Sequence, residues 1–322
     1  MNVAVVGAGV NGLAAADALA RAGARVDVYE QFAVGHDRGS SHGASRIFRL
    51  AYREEEWVRL AHEAAAGWAE LEAESGETLI EGTGLVEITA EEASSSLAAL
   101  AACGVTGERI AAHPQLALPQ AGVAVLQPDA GIIRADLALA ALRSSAERHG
   151  ATIHEQRPVG RLDELEADAV VVTAGAWASA LLAEAGIELP VVATRETVCY
   201  FAHPPGPPSL IEYGSPRGEA YYALSAPGIG LKAGIHHAGA HDDPRQEGRA
   251  DPELVELTRA WVVERFPGAG PEPLRTETCL YTCTADELFV LERHGRSVVG
   301  SACSGHGFKF APAVGRRLAA LA

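Results

Sequence analysis

Asn2-Val-Ala-Val-Val-Gly7-Ala-Gly9-Val-Asn-Gly12 is the stretch on which the fold turns. Residues 2–6 are a short valine-rich apolar run, which suits a strand buried on both faces of a parallel sheet. Gly7, Gly9 and Gly12 then follow in a G-x-G-x-x-G spacing. That spacing supplies one glycine for a tight turn, one where a pyrophosphate approaches the backbone, and one for close helix–strand packing. Leu13 to Ala22 is rich in strong helix formers, and Gly23 stands where a helix C-cap belongs. Val26-Asp-Val-Tyr-Glu30 alternates as a second strand and ends in an acid 18 residues after Gly12. The whole reads as a βαβ unit for a dinucleotide, with phosphates at the positive end of the helix and Glu30 placed to accept ribose hydroxyls. A plain glycine turn is the alternative, and the agreement of strand, helix, second strand and terminal acid argues against it. An acid at position 30 disfavours NADP and leaves FAD and NAD open.

Working outward, 322 residues are long for one simple core, so two structural domains are expected. Helices are expected over 54–75, 135–148 and 252–265, with a short one after Trp177 and a closing one over 312–321. Ala169–Val172, Leu288–Leu291 and Ser297–Gly300 read as further strands. From about 190 to 280, Pro and Gly become frequent, and Val198–Phe201 and Gly230–His236 alternate like antiparallel strands. A net charge of −16 argues against nucleic acid as a partner. No run of 18 apolar residues exists, so no membrane span is expected, and the glycine-interrupted start is not a signal peptide. Five cysteines fit neither a disulfide framework nor a zinc site, which points to a reduced, cytoplasmic protein without a metal.

Basic residues are unevenly written. Of 26, only Lys232 and Lys309 are lysine; the other 24 are arginine. Arg cannot replace a compact or deprotonable ammonium, so these two positions stand out. Lys232 and His236, four apart on an alternating strand, share one face. Gly39-Ser-Ser41-His42-Gly-Ala-Ser-Arg46-Ile-Phe-Arg49 is a Gly/Ser-rich loop with two Arg, an arrangement that grips carboxylates or phosphates; a solvated loop is the plainer reading. Ser304-Gly305-His-Gly307-Phe308-Lys309 is a Gly-rich turn able to present backbone N–H groups. Cys279, just before an expected strand, is in isolation more simply a small core residue.

Together these segments resemble the monomeric sarcosine oxidase family, with its relatives N-methyltryptophan oxidase, pipecolate oxidase and the fructosyl amino acid oxidases, in the D-amino acid oxidase superfamily. Five motifs fall in the family's order across residues 2–321, and both lysines land on family lysine positions. The resemblance implies an α/β fold: a glutathione-reductase-like FAD-binding Rossmann domain with an inserted antiparallel-sheet substrate domain. The expected division is 1–82, 133–182 and 281–322 for FAD, against 83–132 and 183–280 for substrate. It implies a soluble monomer that oxidises a secondary amine bearing a carboxylate. Hydride passes to FAD, and dioxygen is reduced to hydrogen peroxide.

The resemblance also implies residue roles. Cys279 would carry FAD through an 8α-S-cysteinyl bond. Arg49 and Lys309 would bind the substrate carboxylate, and Lys232 would help activate dioxygen. His236, Tyr222 and Arg46 would line the pocket. Gly7, Gly9, Gly12, Glu30, Ser41, His42, Val159, Gly175, Trp177, Tyr281, Gly305, Gly307 and Phe308 would contact the cofactor. The sequence departs from the family at Ala44-Ser45, where Asp-Thr is usual, and at Leu224, where an aromatic is usual. Both departures surround the pocket, so a cyclic or larger secondary amino acid stays open as substrate. A flavoprotein that is not an oxidase is the reading from another class.

Overall fold

The computed structural model describes residues 1–89 and 94–322. The opening unit forms as its sequence requires, with strand Asn2–Val6, helix Val10–Arg21 and strand Arg25–Tyr29. These two strands lie at the heart of a six-stranded sheet in the order 290–294, 297–301, 169–172, 2–6, 25–29, 152–154. All its pairings are parallel except that of the edge strand Val290–His294. Strand alternation splits the valines between two cores. Val3, Val5, Val28 and Val171 face the helices Val10–Arg21, Glu55–Ser75, Ala135–Arg148 and Ala311–Leu321. Val6, Val170 and Val172 face Leu162, Leu182 and Leu189 on the other side. Gly12 explains the tightness of the first turn: a Cβ there would lie 1.9 Å from Gly7 O and 2.7 Å from Thr173 Oγ1.

A second, nine-stranded sheet runs in the order 240–241, 192–201, 230–236, 220–226, 209–213, 85–89, 123–127, 108–110, with Pro273–Cys283 also paired to Val192–Phe201. One face, carrying Cys199, Phe201, Leu210, Ala223, Leu231 and Ala233, packs on Trp261, Val262 and Phe266 of the helix Pro252–Arg265 and its end. That helix is started by Asp251, whose carboxylate accepts from the N–H groups of Glu253 and Leu254 ahead of Pro252. The other face looks toward the six-stranded sheet. A small antiparallel sheet of Ser45–Phe48, Gly131–Arg134 and Ile80–Glu81 carries the arginine loop.

Three local expectations change. Cys279 lies inside the 11-residue strand Pro273–Cys283, not before a strand. The strand expected from Leu288 begins at Val290. A turn intervenes, closed by Thr284 Oγ1 donating to Leu288 O and Leu288 N donating to Asp286 Oδ1. The large sheet is antiparallel save where Leu85–Thr89 runs parallel to Ser209–Tyr213; those strands come from distant stretches of chain, and no hairpin forces them antiparallel. Among the described residues, no helix is long and apolar enough to cross a membrane.

Candidate active site

A cavity of about 960 Å³ separates the two sheets, at the large end of the range for small-molecule and cofactor sites. Its first wall is made by segments that leave the C-terminal ends of parallel strands, where open α/β sheets place ligands. Gly7 follows Asn2–Val6, Glu30 follows Arg25–Tyr29, Thr173 to Trp177 follow Ala169–Val172, and Ala302 to Lys309 follow Ser297–Ser301. Val159 joins them beyond Thr152–His154.

At this wall Gly9 precedes the first helical turn, whose N–H groups lack intrahelical partners. Ser41 Oγ accepts from Val10 N at 3.1 Å and so caps the helix from the arginine loop. Glu30 is buried, and its carboxylate accepts from Ala8 N at 2.8 Å and Phe32 N at 2.9 Å. It therefore braces the glycine loop and keeps lone pairs for a ribose. Asn11, which donates to Ala302 O at 2.9 Å, lines the cavity with its Oδ1 buried and unbonded, as is His306 Nδ1. Buried polar atoms without partners cost free energy. N–H groups at a helix start, a buried acid with spare lone pairs and orphaned polar atoms would fit a dinucleotide.

The second wall is the inner face of the nine-stranded sheet. Tyr222, Leu224, Lys232, His236, Cys279 and Tyr281 all line the cavity, at even spacings within each strand. Lys232 is 6% exposed and donates from Nζ to Ser45 O at 3.2 Å. Burial, and then the nearby Arg46 guanidinium, lower its pKa to about 7. Burial raises the Cys279 thiol above its usual range, against a smaller opposing pull from Arg46 and Lys232. Burial likewise raises the Tyr222 and Tyr281 phenols, which stay protonated. His236 Nδ1 lies 3.3 Å from Tyr281 Oη, and burial, then His237 and Arg49, hold its imidazole neutral. The lysine strand meets the closing glycine turn here. Gly305 has φ +73°, and a Cβ on it would fall 2.4 Å from both His236 Cε1 and Tyr281 Cε2.

Arg49 and Lys309 line the same cavity. Arg49 Nη1 is 3.2 Å from Glu87 Oε2, and its guanidinium lies 4.6 Å from the Tyr52 ring centre. Lys309 Nζ donates to His306 O at 2.6 Å, and burial followed by Arg49 pushes its pKa well down. Trp68 fixes the lysine backbone by donating from Nε1 to Lys309 O at 2.8 Å.

Two expected contacts are arranged differently. His42 does not line the cavity; its carbonyl, with that of Ser40, accepts from Arg46 Nη2 at 2.6 and 2.7 Å. Burial, then Arg46 and Lys232, lower the His42 imidazole to about 4. Arg46 thus holds the loop shut around its own carbonyls while facing the cavity. Gly12 also lies off the cavity and serves helix–strand packing. The sequence reading passed over Glu87, whose only signal was an acid within the apolar strand Leu85–Thr89. It also passed over Asn11, Tyr52 and Tyr213, which line the cavity but sit in patterns that any helix or strand could carry.

Known proteins agree with this architecture. Human peroxisomal sarcosine oxidase is 34% identical, over 98% of this chain and 90% of its own length. Monomeric sarcosine oxidase of Bacillus sp. strain B-0618 is 32% identical, over 100% and 92%. The solved structure of NikD, an unusual amino acid oxidase essential for nikkomycin biosynthesis, superposes with a TM-score of 0.87 at 28% identity, over 99% of this chain and 93% of that one. The pattern described as FAD dependent oxidoreductase (DAO) matches residues 2–321. On the fold, the cavity and these matches together, the chain belongs to the DAO family of FAD-dependent oxidoreductases.

Proposed function

We propose that the protein is a monomeric oxidase of a small secondary amino acid of the N-methyl type. The observation that carries this reading is the convergence of Lys232, Cys279, Arg49 and Lys309 on the cavity that also receives the glycine loop. FAD held there would supply the redox chemistry, as the acceptor of hydride from the carbon beside the amine nitrogen and the donor of those electrons to dioxygen, with hydrogen peroxide as the product. Gly7, Gly9, Glu30 and Ser41 would hold its dinucleotide half, with Val159, Gly175 and Trp177 alongside. Cys279 would hold it covalently as the 8α thioether. Tyr281, Gly305, Gly307 and Phe308 would contact its ring system. The division into a discontinuous FAD-binding unit and a substrate-binding unit, as expected from the sequence, belongs to this reading.

The chain's own groups divide the remaining work. Arg49 and Lys309 bind the carboxylate of the substrate, which displaces Glu87 as the partner of Arg49. Tyr222 and His236, both neutral, shape the space beside the amine without adding charge. Lys232 and Lys309 are buried, and the low dielectric around them strengthens such interactions. Lys232 supplies a cation beside the negative charge that develops on dioxygen. The amine must be neutral to release hydride, so reduction accelerates as pH rises.

A second reading is oxidation of a cyclic or larger secondary amino acid. Leu224, smaller than the aromatic usual in this family, lines the same cavity as Tyr222 and would leave room there for a larger substrate. A peroxide assay across sarcosine, other N-methyl amino acids and cyclic imino acids separates the two. Peroxide with release of formaldehyde supports the first; peroxide from cyclic substrates alone supports the second. If no amine yields peroxide or bleaches the flavin under anaerobic conditions, both readings fail.

A further inference from the structure

At the rim of the cavity stands a cluster in which only His236 has a part in this reaction. Glu219, His236 and His237 bring one nitrogen or oxygen atom each within 4.8 Å of one another. Glu287 closes the group, with Oε1 3.6 Å from His237 Nε2. The imidazoles are aimed. His236 Nδ1 is engaged by Tyr281 Oη at 3.3 Å, and His237 Nδ1 has Cys283 Sγ at 3.9 Å. Each ring therefore turns its Nε2 to the carboxylates, His236 to Glu219 Oε2 at 3.9 Å and His237 to Glu287 Oε1. A partner on the far ring nitrogen is how metal-binding histidines are oriented.

Two further observations point to a ligand. His237 Nε2 is buried and makes no hydrogen bond among the described residues, an unpaid desolvation that a ligand would offset. His237 and Glu287 also both hold left-handed backbone conformations, at φ +57° and +60°. Such strain in non-glycine residues is kept where the surroundings need a side chain in one place.

We propose that Glu219, His236 and His237, completed by Glu287, form a zinc-class divalent-cation site, and that a cation bound there closes the cavity to substrate. Two imidazoles with carboxylates suit Zn²⁺ and its neighbours over Mg²⁺ or Ca²⁺, which prefer oxygen alone. Ligand atoms around a tetrahedral zinc lie roughly 3.4 Å apart, given bonds of about 2.0–2.1 Å. The cluster needs a small contraction, and the exposed side chain of Glu219 is free to supply it. Closure follows because His236, Glu219 and Glu287 all line the cavity. The closure half rests on the oxidase reading above; the binding half does not.

The test is calorimetric titration of ZnCl₂ into tag-free, flavin-loaded protein, beside Glu219→Gln and His237→Asn. Asn tolerates the left-handed backbone, and Glu219 is exposed, so both variants are expected to fold with unchanged melting curves. One zinc should bind the wild type, and each variant should weaken it about tenfold or more. MgCl₂ should give no comparable binding. Absence of zinc binding, equal binding in both variants, or equally tight magnesium binding overturns the site. For closure, zinc should raise the KM for the amine in the wild type and leave it unchanged in the variants. Stoichiometric zinc with an unmoved KM overturns closure alone. A protein that oxidises no amine overturns the oxidase reading and closure with it, while the titration still decides the site.

Discussion

Lys232 and Arg49 carry opposite electrostatic problems. Lys232 is a buried ammonium whose hydrogen bond goes to the carbonyl of Ser45, and its pKa near 7 makes its charge depend on pH in the working range. Burial disfavours the charged form, so the ammonium persists below about pH 7 and is lost above it. Stopped-flow reoxidation should therefore slow as pH rises from 6 to 9, while reduction by substrate quickens over the same range. Lys232→Met should slow reoxidation about 10²-fold or more, the scale of losing one preorganised electrostatic contact. Reduction should change little; an unaltered reoxidation rate would refute the assignment. Arg49, by contrast, is already paired with Glu87. A charge-assisted hydrogen bond is worth about 1.5–3 kcal/mol, so Arg49→Ala should raise KM roughly 10- to 150-fold. Glu87→Gln should lower KM by removing the competitor, and a KM that rises instead would count against that role. Lys232 and Lys309 were legible because a chain that writes arginine almost everywhere kept lysine twice. Glu87 was not, because a buried acid announces itself only once its partner is placed.

At the scale of elements, period and punctuation carried the most information. The βαβ opening, the helix Pro252–Arg265 with Asp251 and Pro252 at its start, and the strand Gly230–His236 stood clear because local chemistry and tertiary packing agree there. Cys279 was expected just before a strand, and Pro271 and Pro273 stand shortly ahead of it as local strand-breaking residues. The long pairing with Val192–Phe201, to which Pro273 itself belongs, overrides that local cue. The parallel pairing of Leu85–Thr89 was illegible for a similar reason: nothing local encodes which distant strand becomes a neighbour. Gly12 tests the tightness of the first element. Gly12→Ala would put a methyl 1.9 Å from Gly7 O and should cost about 1–3 kcal/mol in chemical denaturation. Bound flavin per protein should fall alongside it. Unchanged stability would mean that the helix can retreat from the strand without cost.

Across the whole molecule, two sheets with different histories in the chain meet over one cavity. The parallel sheet contributes loop backbone, glycines and the side chains of Glu30, Asn11 and Lys309; the larger sheet contributes side chains from one face, because its other face is committed to the helix Pro252–Arg265. This division explains why the motifs lie so far apart in sequence, and why each alone reads as an ordinary turn, strand or core cysteine. A thiol and the glycine loop facing the same cofactor from opposite sheets is the arrangement on which the functional reading depends. It is tested most directly by acid precipitation of purified wild-type protein and Cys279→Ser, followed by denaturing mass spectrometry of each. The wild-type pellet should be yellow, with one FAD added to its 33.5 kDa chain, and the Cys279→Ser pellet should be colourless with the flavin left in solution. A colourless wild-type pellet of bare chain mass, or a yellow pellet that survives Cys279→Ser, would contradict it.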